Sequence, residues 1–289
     1  MKDIKRAIIF VHYDRDNRVD DYLYYYLKEL QKNASHLVFV STAKLSHNDI
    51  ETLSQYCSKV ITRDNIGYDF MSYKVGLDSF DYQSFDEIVI CNDSVYGPFY
   101  PLKNLFTVMH NKKCDFWGIT DNIDMGYHLQ SYFLVVKKNV ISSPVFQEFW
   151  DKVKVLKDKD SIIEKYEVGF TQALLKAGFK VEVATLFQPT TIQKLSVFIK
   201  KFTPNNIVKK ITSILSGEAK MMRIGKLNTT HYFWKELLVS GDAPFIKIEL
   251  LRDNPMNINI DDFEKTIHKV SNYDTKLIKN HLNRMKQIK

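Results

Sequence analysis

The run EIVICNDSVYGPFYPL, residues 87–102, carries the apolar string IVIC onto Asn92, Asp93 and Ser94, then turns through Gly-Pro. A carboxylate at the carboxyl tip of a buried strand is placed to hold a divalent cation that bridges a nucleotide diphosphate. The alternative is an aspartate that caps the following turn. A second stretch, RDNIGYDF at 63–70, gathers Arg63, Asn65, Gly67, Tyr68 and Asp69 on one strand-to-helix connection, with Lys74 on the helix beyond it. Gly67 lets backbone approach a ligand, a helix N-terminus favours an anion, and Arg63 suits phosphate, although an Asn-x-Gly stretch is often only a turn.

Such residues act together only if the chain brings them to one edge. AIIFVHY (7–13), HLVFVS (36–41), KVITRD (59–64) and EIVIC (87–91) read as strands. Between the first two, Val19, Tyr22, Leu23, Tyr26, Leu27 and Leu30 recur at helical spacing behind a possible cap, Asn17. The resulting βαβαβαβ series implies a parallel sheet with helices on both faces. Ligands of such sheets bind beyond the carboxyl ends of the strands. His12, Tyr13 and Asp14 close the first strand, Ser41 and Thr42 the second, Arg63 to Asn65 the third and Asn92 to Ser94 the fourth.

After Pro101 the pattern changes to a helix, DFWGIT, a polar loop, and QSYFLVVKK, which suggests a mixed or antiparallel continuation of the sheet. Two further helices, SSPVFQEFWDKVK and EKYEVGFTQALLKAG, lead past a stop at Gly178 to KVEVAT. The expected layout is a core over 1–190, a basic segment over 191–226 and a C-terminal extension over 227–289 that packs on the core.

No P-loop, GxGxxG, HExxH or GxSxG string occurs, and Cys57, Cys91 and Cys114 lack metal-type spacing, which removes several large enzyme classes. The three cysteines suit a reducing, cytoplasmic setting, and MKDIKRAIIFVHYD reads as a first strand rather than a signal peptide. Aromatics at 13% fit either an aromatic core or sugar stacking. The net charge of +7 is concentrated between Thr191 and Lys226, where Glu218 is the single acid.

RDNIGYDFMSYKVGL, IVICNDSVYGPFYPL, CDFWGIT, HLQSYFLVVKK, YEVGFTQALLKAGFKVEV and PFIKIELLRDNP together resemble the rhamnan synthesis protein F family, over roughly residues 6–185 and again near 228–255. The resemblance implies a GT-A-like glycosyltransferase: an α/β, Rossmann-like, mostly parallel sheet flanked by helices. The donor would be a nucleoside-diphosphate sugar, with His12, Tyr13, Arg63, Asn65, Gly67, Tyr68, Asp69, Lys74, Asn92, Asp93 and Ser94 as candidate donor contacts. Rhamnose is the sugar it suggests, and a lipid-linked or polysaccharide acceptor the second substrate. GT-A enzymes carry Asp-x-Asp at the fourth strand tip, and Asn92-Asp93-Ser94 departs from it. One carboxylate remains to help hold Mg2+ or Mn2+, with His231 as a candidate late ligand. The same departure keeps open a non-catalytic sugar-binding or scaffolding subunit.

By the same resemblance Glu167 is the candidate catalytic base, which would take the proton of an acceptor hydroxyl; the alternative is a first-turn acid on a helix dipole. Asp121 and Asp124 stand behind it. In HLQSYF, His128, Gln130 and Ser131 alternate with apolar residues in a way suited to hydrogen-bonding a sugar, and Trp117 would supply a stacking face. The segment LSVFIKKFTPNNIVKKITSIL, with apolar residues between paired lysines, reads as amphipathic and suited to an anionic bilayer. That implies a peripheral protein at the inner face of the plasma membrane. Nucleic acid is not an expected partner, because the stretch lacks interleaved stacking aromatics beyond Phe198 and Phe202.

Overall fold

A computed structural model describes residues 4–185, 228–241 and 243–286, together with residues 187, 190 and 193. Strand β1 (Arg6–His12) is buried along its whole length. Helix α1 (Asp21–Gln31) follows, burying Tyr22, Leu23, Tyr26, Leu27 and Leu30, the i, i+4 set expected of it. Its cap is Asp20 and not Asn17. Asn17 adopts a left-handed turn conformation (φ 59°) and accepts the Lys44 amide at 2.7 Å, so its carbonyl is spent on a loop.

The series continues with β2 (His36–Ser41), α2 (His47–Leu53), β3 (Lys59–Thr62), α3 (Tyr68–Leu77) and β4 (Glu87–Asn92). Ser46 and Asp49 cap α2 reciprocally. β2 pairs β1, β4 pairs β1 and β3 pairs β2, all parallel. Gly76 lets α3 lie close on the sheet, since a Cβ there would stand 2.4 Å from Ile9 Cγ2.

β5 (Val95–Tyr96), α4 (Leu102–Asn111), β6 (Phe116–Gly118), β7 (Asp121–Asn122), β8 (His128–Leu129) and β9 (Phe133–Lys137) come next. β9 inserts antiparallel between β4 and β6. After α5 (Lys138–Ile141), α6 (Pro144–Asp151) and α7 (Lys159–Ile162), the stretch Ile163–Val168 is a π-helical turn that runs into α8 (Gly169–Lys176). The single helix expected over EKYEVGFTQALLKAG therefore changes winding midway. Gly178, at φ +86°, donates its amide to Leu175 O and ends α8 before β10 (Val181–Val183). The seven-stranded sheet has the order β10-β6-β9-β4-β1-β2-β3, with β9 alone antiparallel. This is the mostly parallel α/β sheet, flanked by helices, that the sequence implies.

The last elements are α9 (Thr229–Tyr232), α10 (Trp234–Val239), β11 (Ile246–Lys247), α11 (Ile248–Arg252), α12 (Phe263–Val270) and α13 (Lys276–Lys286). Alternate strand residues feed two cores. Ile8, Phe10, Leu37 and Phe39 pack with α1 and with Trp234, Leu237, Ile246 and Leu282, whereas Ile9, Val11, Val38 and Val40 pack with α3, α6 and α8. Strand β11 pairs antiparallel with β5, Lys247 opposite Val95. The segment 191–226, apart from Gln193, lies outside the described residues. Among the described residues no helix is long and apolar enough to cross a membrane.

Candidate active site

The carboxyl ends of β1 and β4, the start of α3, the π-helical turn and β11 surround one cavity of about 660 Å³. His12, Tyr13, Asp14, Tyr68, Asp69, Asn92, Asp93, Ser94, Ser131 and Glu167 line it, as do several residues not singled out by sequence, among them Asp20, Tyr132, Lys159, Lys247 and His281.

Asp93 Oδ2 accepts the Tyr13 amide at 2.8 Å, which ties the tip of β4 to that of β1. Burial raises its carboxyl well above the usual carboxylate range; the Tyr13 amide opposes this, and the charges of Asp69 and Asp14 add to it. His12 beneath it is 1% exposed and meets Ser41 Oγ at 2.9 Å through Nδ1. Burial lowers its pKa to about 4, so the ring is neutral near neutral pH.

Asn92 is held by its own loop. Its Oδ1 accepts the Ser94 amide at 3.1 Å and the Ser94 hydroxyl at 2.6 Å, which fixes the amide so that Nδ2 donates to Asp69 Oδ2 at 2.8 Å. Asp69 opens α3 behind two successive left-handed residues, Gly67 (φ 76°) and Tyr68 (φ 54°). Tyr68 holds this conformation without being glycine, a local backbone strain of the kind that aims side chains at sites. Burial raises the Asp69 carboxyl, and Glu167 adds to the rise while Asn92 opposes it.

Glu167 lies within the π-helical turn, not in the first turn of an α-helix as the dipole alternative requires. Its Oε1 accepts the Ser131 amide at 2.7 Å, and among the described residues no hydrogen bond engages Oε2. A π-turn shifts the side chains that follow it around the axis, and such turns are frequent at functional sites.

A divalent cation at the strand tip finds a poor donor set. Asp93 is the single tip carboxylate and one of its oxygens is used by Tyr13, while the Asn92 oxygen is used twice by Ser94. Asp93 and His231 do not come together in a ligand group: His231 is buried outside the cavity, its Nε2 3.7 Å from Glu249 Oε2. Among the described residues the group with metal-like spacing is Asp14, Asp20 and His281, whose donor atoms lie within 4.8 Å of one another, compatible with a divalent cation. Both carboxylates already hold a cation, since Arg284 Nη2 is 2.6 Å from Asp14 Oδ2 and 2.5 Å from Asp20 Oδ2. A metal ion there competes with the guanidinium.

The remaining expected residues serve elsewhere. Arg63 donates to Ser72 Oγ at 2.7 Å and to the Ile66 carbonyl, bracing its own turn. Lys74 pairs with Asp78 at 3.1 Å, and Asn65 is exposed beyond the cavity rim. Gly67 acts as the cap of α3. Trp117 offers no stacking face: it is 1% exposed and packs on Phe106 and Phe133 in the core. His128 is satisfied by the Gly126 carbonyl at 2.8 Å, and Gln130 accepts from Thr120 Oγ1 at 2.7 Å. Both are buried outside the cavity. Asp121 is engaged with Tyr127, and neither it nor Asp124 lines the cavity.

Several of the residues missed by sequence reading come from far along the chain. Lys247, Glu249 and Arg252 belong to PFIKIELLRDNP, so that stretch was a usable signal. Arg284 and His281 sit on a helix with no comparable mark.

Among known proteins, the virulence protein VirA of Vibrio anguillarum is 29% identical over 87% of this chain and 81% of its own length. A Sinorhizobium fredii protein, y4gN, is 30% identical over 60% of this chain, which spans about half (46%) of it. The glycosyltransferase GlyE of Streptococcus pneumoniae aligns with 98% of this chain and 64% of its own at 11% identity, with a TM-score of 0.45. The rhamnan synthesis protein F family matches residues 37–289, the greater part of the chain, including the β4 tip residues and the C-terminal elements that line the cavity. The chain belongs to that family.

Proposed function

We propose that the protein is a glycosyltransferase that moves a sugar, rhamnose in the leading reading, from a nucleoside-diphosphate donor to a lipid-linked or polysaccharide acceptor. The observation that carries the reading is the convergence of Asp69, Asp93 and Glu167 on one cavity at the carboxyl edge of the sheet, the edge at which parallel α/β sheets bind ligands. In this reading the strand tips receive the donor. Glu167 Oε2 accepts the proton of an acceptor hydroxyl as its oxygen bonds to the anomeric carbon, the bond from that carbon to the diphosphate breaks, and the electron pair leaves with the diphosphate oxygen. The Ser131 amide on Oε1 holds the carboxylate in one orientation for this. The segment 191–226 would keep the enzyme at an anionic membrane surface, where each lysine contributes about 1 kcal/mol.

Incubation with a panel of nucleoside-diphosphate sugars and lipid-linked acceptors tests the reading. Release of nucleoside diphosphate that depends on both substrates is expected, and its absence across the panel contradicts it. A second reading, a non-catalytic sugar-binding subunit, is favoured by one observation, the use of Asn92 where an acid is expected. It gains if sugar nucleotides bind and are never turned over.

A further inference from the structure

Lys247 is one of the cavity residues that neither the donor contacts nor the proposed base accounts for. It reaches the site because β11 pairs with β5, the two-residue strand that begins immediately after the Asn92-Asp93-Ser94 tip. The Ile248 amide donates to the Ser94 carbonyl at 3.0 Å, so the backbone beside Lys247 is bonded directly to that tip. The ammonium stands 4.1 Å from the centroid of the Tyr132 ring, and Tyr132 is itself fixed through a 2.9 Å contact with Thr120. Among the described residues it has neither a hydrogen bond nor an ion pair within salt-bridge distance.

Lys247 is half-buried, and a structural lysine in such a place ordinarily takes a carboxylate partner, because a partly desolvated ammonium without one is costly. Here Glu167, Glu249 and Asp69 act on it only through space, and Lys159 opposes them. Burial draws its pKa down to about 8, and the charges of Glu167, Glu249 and Asp69 only partly oppose the fall. At the same tip the metal donor set is depleted, with Asp93 the one acid of the β4 tip and the acids of the neighbouring cluster, Asp14 and Asp20, already paired with Arg284. The β4 tip thus carries one carboxylate where a metal site of this kind uses two, and Lys247 lines the same cavity with no direct ion-pair partner among the described residues.

From this geometry we infer that Lys247 is the cation that receives the diphosphate of the donor, at the place where enzymes with two strand-tip carboxylates use a metal ion. The inference rests on the donor reading proposed above. As the bond between the anomeric carbon and the diphosphate oxygen breaks, the electron pair passes to that oxygen, and the ammonium balances the charge that develops there without giving up its proton. A flexible point charge on a four-carbon stem suits a group whose charge grows during the step. The Tyr132 face, over which the ammonium stands, helps hold Lys247 in place.

The test is calorimetric titration of the full chain with UDP, GDP, dTDP and inorganic pyrophosphate, in EDTA and in excess Mg2+ or Mn2+. Lys247→Ala and Lys247→Met are compared with Lys247→Arg, and thermal unfolding reports whether each folds. Wild type is expected to bind at least one probe in EDTA. Both neutral variants should lose at least about tenfold in affinity, and the arginine variant should recover most of it. Neutral variants that bind as wild type does, an arginine variant no better than alanine, or wild-type binding that appears only with metal would each overturn the role of Lys247 and leave the donor reading standing. Failure of wild type to bind any probe under either condition would overturn both.

Discussion

Asn92 Nδ2 donates to Asp69 Oδ2 at 2.8 Å, joining the tip of β4 to the first turn of α3 across the floor of the cavity. An aspartate in the same position has no proton to give at neutral pH and would face a second carboxylate. The departure from Asp-x-Asp is therefore coupled to Asp69, 23 residues earlier in the chain.

Asn92→Asp is accordingly expected to cost about 1–3 kcal/mol at pH 7, the penalty for opposing a partly buried acceptor with another acceptor. Protonation of one of the two acids relieves the repulsion, so the deficit should shrink toward pH 4. Urea unfolding of variant and wild type at both pH values measures it, and equal stability at pH 7 would show that the contact carries little.

Glu167→Gln keeps the shape of the side chain and removes its ability to take a proton. Transfer should fall by about 10²–10⁴-fold while donor affinity stays within about twofold. Single-turnover kinetics and donor titration separate the two, and near-normal turnover removes Glu167 from the role.

His12 offers a stability prediction with a defined sign. Its folded pKa of about 4 lies below the ordinary histidine value of 6.5, so the unfolded chain binds the extra proton first. The stabilisation from a neutral His12 is full above about pH 6.5 and is lost as pH falls toward 4. At pH 5 the loss is about 2 kcal/mol relative to pH 7. His12→Asn should remove that portion of the acid sensitivity, and an identical pH profile for variant and wild type would contradict the assignment.

Arg284 ties the C-terminal helix to the first strand's loop through Asp14, Asp16 and Asp20. Burial works to raise the Asp14 carboxyl, but hydrogen bonds from Arg284 and from the amides of Arg18 and Asp16 outweigh it and hold it below its ordinary range. The depressed group stabilises the fold above its unfolded pKa, about 4, and that contribution is lost as pH falls through the folded value. Arg284→Ala should cost about 2 kcal/mol, between the values for exposed and buried ion pairs. Hydrogen exchange should locate the loss in α13, and unchanged protection there would refute the tie.

The strands were legible because both faces of a central parallel strand are covered, which writes Ile8 to Val11 and Val38 to Val40 as continuous apolar runs. His12, Asp93 and Ser94 were legible as site residues because they sit at the strand ends that such sheets turn toward ligands. Trp117, His128 and Gln130 were not, since their fate depends on which later segment covers them, and no local pattern records that. Lys247 and Arg284 show the same limit from the other side. Arg284 meets Asp14 across 270 residues, a contact that periodicity and spacing do not encode.

The central claim, that the cavity at the strand tips is a donor site, is tested most directly by a crystal structure of the protein with a bound nucleoside diphosphate or its sugar. The account expects the diphosphate within hydrogen-bonding distance of Lys247 and beside Asp93, with the anomeric carbon or the space for it facing Glu167. A nucleotide seated elsewhere on the protein, with the cavity between Asp93 and Lys247 empty, would contradict it.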